Sequence, residues 1–153
     1  MIRSVVFFLA HAPSQAQVLK KIAGNCKTKA VFAGIKASFW SFTKSVEFKE
    51  VYDFVSLIHN SRGIVTDSFH GVCFSIIFRK PFVVLPSPRK ERFVRIADLL
   101  KMLQLEDRVC SSRKPEDAAC KMQKNIDWQR VYAILEQKRN ESMKLLTAVG
   151  HEI

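Results

Sequence analysis

Apolar runs alternate with helix-periodic stretches along most of the chain. SVVFFLA (4–10) is a continuous apolar run with a β-branched start, the pattern of a strand covered on both faces. Pro13 and Ser14 follow, and Ser14 with Gln17 three residues on forms a capping box. Val18, Leu19 and Ile22 supply that helix with an apolar side, and Gly24-Asn25 supplies its stop. KAVFAGI (29–35) predicts a second strand. Residues 36–48 are aromatic without a period and read as a loop holding a short strand. Val51, Phe54, Val55 and Ile58 predict a helix over 50–60. GIVTD (63–67) predicts a short strand running straight into SFHGVCFSIIF (68–78). Phe69, Val72, Cys73, Ile76 and Ile77 make that segment too apolar for a surface helix, so it reads as a buried one. It stops at Lys80, because a residue before proline is pushed out of the helical region. PFVVLP (81–86) predicts another buried strand. A helix near 93–103 carries Val94, Ala97, Leu100 and Leu103. Residues 106–124 are mixed and polar, and read as a connector. Asp127 caps a last helix (127–149), on which Trp128, Val131, Leu135, Ser142, Leu145 and Val149 recur at steps of three or four.

Strands alternating with helices predict an α/β layered, Rossmann-like fold with a mostly parallel sheet. At 153 residues the chain is expected to form one domain (1–153). In such sheets ligands sit outside the carboxyl ends of the strands, where helix N-termini point. That rule directs attention to the junction between GIVTD and SFHG.

Composition removes several classes. A 48% hydrophobic chain with 12 Phe is not disordered in the main. Lys and Arg outnumber Asp and Glu by 25 to 14, a net charge of +11. The excess invites an anionic partner, which leaves nucleic acid, anionic lipid, a phosphorylated small molecule or an acidic partner domain open. Nucleic acid is not expected, because neither an RNP-type interleaving of basic and aromatic residues nor a helix-turn-helix pattern occurs. The N-terminal apolar run suits a strand better than a signal peptide. No stretch reaches the length of a membrane span. The four Cys (26, 73, 110 and 120) lack C-x-x-C spacing, so neither a zinc ribbon nor a disulfide framework is expected, and a reducing cytoplasmic setting is. Cys73 reads as a small buried hydrophobe. With no Cys/His cluster at ligand spacing, neither a metal site nor a cofactor is expected.

Thr66, Asp67, Ser68 and His70 all fall at the strand-to-helix switch. The unpaired amides of a helix N-terminus form a ready anion site. Gly71 admits a close approach by a ligand or by another part of the chain. His70, in the first turn, can donate to a phosphate or carboxylate or move a proton near neutral pH. A plainer reading makes Ser68 an ordinary N-cap, Asp67 a turn former and His70 a partly buried ring bonded to backbone. Downstream, Arg79 and Lys80 read as a solvated positive face. Arg89, Lys90, Arg92 and Arg95 follow the strand 81–86 and so lie near the ligand side of the sheet. His11 follows the first strand at the same edge and reads as a loop residue. His59 suits a helix C-terminus, His151 lies in a tail, and Trp40 and Trp128 read as packing residues.

The stretch DFVSLIHNSRGIVTDSFHGVCFSIIFRKPFVV (53–84), followed by RFVRIADLLKMLQLEDRV (92–109) and IDWQRV (126–131), resembles the C-terminal half of the polysaccharide pyruvyl transferase family. The family pattern is similar to F-x-S-L-I, then T-[DN]-S-F-H-G, F-S-I-I-F and K-P-F. An Arg-bearing helix then leads into L-G-L-x-x-R, where Gln104 here replaces the usual Gly. The resemblance extends over most of residues 1–149.

The resemblance implies one half of a glycosyltransferase-B-type fold. It implies transfer of the enolpyruvyl unit of phosphoenolpyruvate to a sugar of a cell-surface polysaccharide, commonly as a cyclic pyruvate ketal. His70 falls on the family's motif histidine, implicated in donor binding or proton donation. The implied donor site comprises Thr66, Asp67, Ser68, Phe69, Gly71 and one or more of Arg89, Arg92 and Arg95. Some members carry Arg at the position of Ser68, a charge this chain lacks there. The expected partners are phosphoenolpyruvate or another anionic donor, a sugar acceptor, and a separate chain or domain supplying the family's other half. Two further readings stay open. One is a glycosyltransferase-like domain binding a nucleotide sugar, and the other is an isolated, inactive anion-binding domain.

Overall fold

The computed structural model describes residues 4–8, 24, 29–33, 44–46, 50–86, 90–111, 114 and 116–150. Its centre is built from the most apolar segments of the chain. Strands β1 (Ser4–Phe8), β2 (Lys29–Ala33), β3 (Lys44–Val46), β4 (Gly63–Thr66) and β5 (Phe82–Val84) form one sheet in the order β3-β2-β1-β4-β5. Every pairing is parallel. Parallel strands need long crossovers, and the described ones are helical. Helix α1 (Val51–Asn60) precedes β4, and α2 (Phe69–Ile77) lies between β4 and β5. The α/β expectation holds. The loop assigned to 36–48 contains the short strand β3. The expected helix after Ser14 lies outside the described residues, except for helical Gly24.

The order has a consequence for function. The chain moves from β1 outward to β2 and β3, then returns to the other side of β1 to place β4. The direction of winding therefore reverses between β1 and β4, where Phe8 pairs with Thr66 at the carboxyl end of both strands. Open α/β sheets bind ligands in the crevice at such a reversal.

The core explains why β4 and β5 read as unbroken apolar runs. Ile64, Phe82 and Val84 are buried with Leu57, Ile58, Val72 and Ile76 from the helices packed on them. Phe54 of α1 meets Phe74 of α2 edge-on, with ring centroids 5.6 Å apart. Helix α3 (Lys90–Met102) buries Ile96 and Leu100 in the same cluster. It begins three residues earlier than its apolar period suggests.

Both α2 and α3 end in the same way. The Lys80 amide donates to the Ser75 carbonyl (2.8 Å) and the Arg79 amide to that of Ile76 (3.1 Å). The Leu105 amide donates to the Leu100 carbonyl (2.8 Å) and the Gln104 amide to that of Lys101 (3.2 Å). Each is a Schellman ending, which needs a left-handed residue where glycine is favoured. Arg79 (φ 51°) and Gln104 (φ 56°) occupy those positions instead.

The segment 106–124 departs from the connector expected of it. It contains a 3-10 turn (Glu106–Arg108) and helix α4 (Glu116–Gln123). Between them Val109 forms a parallel bridge with Val84, and the Cys110 amide donates to the Val84 carbonyl (2.8 Å). Local sequence hides α4 because long-range partners decide it. Ala118, Ala119 and Met122 are its buried face. The Met122 sulfur lies where a side chain on Gly63 would project, 2.7 Å from a Cβ built there. Helix α5 (Trp128–Gly150) starts as expected, with Asp127 Oδ1 accepting from the Arg130 amide at 3.0 Å. Its apolar side is used only in the first half. Val131 is buried, whereas Leu145 is 69% exposed. Trp128 packs against the core, as expected. No helix among the described residues is long and apolar enough to cross a membrane.

Candidate functional site

The strand β4 delivers Thr66 and Asp67 to the carboxyl edge, and both are buried. The Thr66 hydroxyl accepts from the Ser68 amide at 3.0 Å. That bond turns the chain out of the sheet and holds Ser68 extended (φ −99°, ψ 131°), the geometry of an N-cap. Ser68 Oγ then accepts a long bond from the Gly71 amide (3.5 Å), and the Ser68 carbonyl accepts from Val72 (3.1 Å). The plainer reading of Ser68 as an ordinary N-cap therefore holds.

Gly71 is explained by its neighbour in the chain's own fold. A Cβ built there would lie 2.5 Å from Thr66 Oγ1 and 3.1 Å from Thr66 Cβ. The absence of a side chain lets the first turn of α2 sit directly on the strand end. One turn further on, Ser75 Oγ donates to the Gly71 carbonyl at 2.7 Å in the buried interior. Thr66, Ser68, Gly71 and Ser75 thus lock the junction together.

What remains for a ligand is the outer part of the turn. The Phe69 and His70 amides meet no acceptor among the described residues, as expected at the first positions of a helix. The His70 side chain is exposed, contrary to the partly buried, backbone-bonded alternative. It meets no hydrogen-bond partner among the described residues. Its ring lies edge-on to Phe69, with centroids 6.0 Å apart.

From α3, Arg95 reaches the same place. Its guanidinium carbon lies 5.4 Å from the centre of the Phe69 ring, within cation–π range. Arg95 is exposed, and its N–H groups find no acceptor among the described residues. The fold thereby brings His70 and Arg95, 25 residues apart in sequence, against the same Phe69 ring at the first turn of α2.

The other expected residues divide differently. Arg89 and the Arg92 side chain lie outside the described ones, as do His11, Trp40 and His151. Arg79, expected to be plainly solvated, is exposed yet covers the Tyr132 ring at 4.6 Å. The Tyr132 hydroxyl donates to the carbonyls of Ile76 and Ile77, each at 3.0 Å, and so caps the end of α2. His59 stands edge-on to Phe78, with centroids 5.0 Å apart. Cys73 is half-buried, and burial pushes its thiol above the usual range.

Two cavities lined by described residues lie elsewhere. One, of about 390 Å³, is walled by Gln104, Asp107, Lys124 and Arg130, and the other, of about 450 Å³, by Ile77, Tyr132 and Leu135. No group of three His, Cys, Asp or Glu placed to hold a metal occurs among the described residues.

A family model described as polysaccharide pyruvyl transferase matches residues 3–88, more than half of the chain. The chain belongs to the polysaccharide pyruvyl transferase family. The match takes in all five strands, α1, α2 and the whole Thr66–Gly71 junction. It covers the chain's N-terminal part and ends before α3, so 92–109 and 126–131 lie beyond it. No curated protein matches the chain. The matched range includes both the sheet reversal between β1 and β4 and the outer turn of α2.

Sequence reasoning identified this junction, with Ser68 and Gly71 shaping the helix N-terminus and His70 as acid or anion ligand. Thr66, Ser68 and Gly71 hold the turn, while His70 and Arg95 face outward from it. Sequence reasoning missed the contact between Phe69 and Arg95, because it depends on the packing of α3 against α2.

Proposed function

We propose that this chain is the donor-side domain of a polysaccharide pyruvyl transferase. It would bind phosphoenolpyruvate at the N-terminus of α2 and deliver its pyruvyl unit to a sugar. In this reading the fold is a Rossmann-like half of a glycosyltransferase-B-type enzyme, and the sugar approaches from a second chain or domain. The observation that carries the reading is the exposed His70 beside open α2 amides and Arg95, at the carboxyl end of β4 where the sheet reverses.

The chemistry asks for these groups. Phosphoenolpyruvate brings a carboxylate and a phosphate, which amides and a guanidinium bind through charge-assisted hydrogen bonds. Imidazolium of His70 would give a proton to the methylene carbon, turning the enol double bond into a methyl group and leaving an oxocarbenium-like C2. One sugar hydroxyl adds to C2. A second hydroxyl then displaces phosphate from the same carbon, closing the cyclic ketal. The two hydroxyl protons balance the one given to the methylene and the one leaving with phosphate. Arg95 and the α2 amides would stabilise the departing negative charge.

Calorimetric titration of the full chain tests the reading. Phosphoenolpyruvate is expected to bind, and His70→Ala to weaken that binding while leaving the far-ultraviolet circular dichroism unchanged. Absence of binding by the wild-type chain, or preference for a nucleoside diphosphate, rejects it.

A further inference from the structure

We propose that Phe69 is a positioning residue, which seats the Arg95 guanidinium over the outer turn of α2. The inference rests on the donor-site reading above and assigns its aromatic residue a task. Phe69 has two sides. It packs against the core cluster as a partly buried residue, and it also carries Arg95 at 5.4 Å. A guanidinium is weakly hydrated and stacks on aromatic faces without spending its N–H donors. Seated in this way, Arg95 keeps all five donors for an anion, and a flexible side chain is held where it is needed before the ligand arrives. The preorganisation lowers the ordering cost of binding. His70 meets the same ring only at its edge, with centroids 6.0 Å apart, and does not depend on it as Arg95 does.

The test is a double-mutant cycle read by phosphoenolpyruvate affinity in the full chain. Phe69→Leu keeps an apolar filler for the core and removes the aromatic face. It is expected to weaken binding about two- to five-fold, the size of an exposed cation–π contact. Phe69→Tyr is expected to bind like wild type. In an Arg95→Gln background, Phe69→Leu is expected to have no further effect. Proton NMR of the unliganded protein adds an independent signature: the Arg95 side-chain resonances are expected to be ring-shifted in wild type and Phe69→Tyr, and to lose that shift in Phe69→Leu. If Phe69→Leu weakens binding equally with and without Arg95, the ring acts only through the fold and the proposal fails. Unchanged affinity in Phe69→Leu rejects it too. If wild type itself does not bind phosphoenolpyruvate, the donor-site reading fails first and takes this inference with it.

Discussion

Two arginines show how one side chain serves opposite ends in one fold. Arg95 stands at the carboxyl edge of the sheet, exposed, with a ring beneath it and its N–H groups free of acceptors among the described residues. Arg108 lies in the 3-10 turn Glu106–Arg108 and is only 1% exposed. Its Nη1 donates to the carbonyls of Lys121 (2.8 Å) and Lys124 (3.0 Å), and its Nη2 to that of Asn125 (3.4 Å). Its remaining donors reach Asp107, Nε to Oδ1 at 3.3 Å and Nη2 to Oδ2 at 3.4 Å. A guanidinium has five donors, and here each has an acceptor. Arg108 closes the C-terminal end of α4, whose last carbonyls would otherwise be orphaned. Burial alone therefore does not mark a functional cation. A site needs a charge whose donors are unspent.

Replacement of each arginine is the strongest way to break that contrast. Arg108→Met should cost about 3–5 kcal/mol in urea unfolding, because it removes five charge-assisted hydrogen bonds from a buried guanidinium and leaves three part-buried carbonyls without their donor. Any phosphoenolpyruvate affinity of the folded fraction should persist. Arg95→Gln should leave stability within about 0.5 kcal/mol, as for other exposed substitutions. Equal destabilisation by the two changes would remove the distinction.

The same contrast separates what the sequence reveals from what it conceals. GIVTD, SFHGVCFSIIF and PFVVLP are legible because each is a dense apolar segment with a polar or proline stop beside it. Their structure is decided within about ten residues. Helix α4 is not legible in that way. Its short apolar face needs β5 and Gly63, and its end needs Arg108, 13 and 16 residues from the carbonyls of Lys121 and Lys124. The distal half of α5 errs in the other direction. Its period continues through Leu145, yet no described element covers that side. The junction residues were legible as a group. The close approach of Gly71 to the Thr66 side chain was not, since that contact joins two elements.

That contact gives the next largest effect. Gly71→Ala would press a methyl against Thr66, 2.5 Å from Oγ1. Thr66 is buried and β-branched, so it cannot swing aside. Overpacking of this kind should cost about 1–3 kcal/mol, measured by urea unfolding. Thr66→Ser in the same chain should recover part of it, since serine turns more freely. Additive losses in the double variant would show that the two side chains do not compete.

A smaller effect of opposite sign is expected at the end of α3. Gln104 holds φ 56°, and in a left-handed conformation an L side chain crowds the following carbonyl. Gln104→Gly should stabilise the fold by about 0.5–1 kcal/mol, the relief being reduced by the greater freedom of glycine in the unfolded chain. Arg79→Gly should gain less, because it also gives up the contact with Tyr132. A larger gain at Arg79 would mean that the Tyr132 contact contributes nothing.

The smallest effect concerns the Arg108 region and acid. Burial pushes the Asp107 carboxyl up, but the hydrogen bond from Lys124 (2.7 Å) and the charge and hydrogen bond of Arg108 outweigh it, so its pKa lies below the ordinary value. A carboxyl whose folded pKa is depressed adds stability at pH values above its unfolded pKa. That stability is lost as pH falls through the folded pKa. The loss should therefore begin below about pH 4, the ordinary range of an Asp carboxyl. Asp107 is 41% exposed at its side chain, so solvent screens the pair and the contribution stays within about 1 kcal/mol. Asp107→Asn should flatten the acid limb of the stability curve and leave the neutral plateau only slightly lower. High salt should shrink the difference between the two proteins. An acid limb unchanged in Asp107→Asn would show that Arg108 is held by the α4 carbonyls alone.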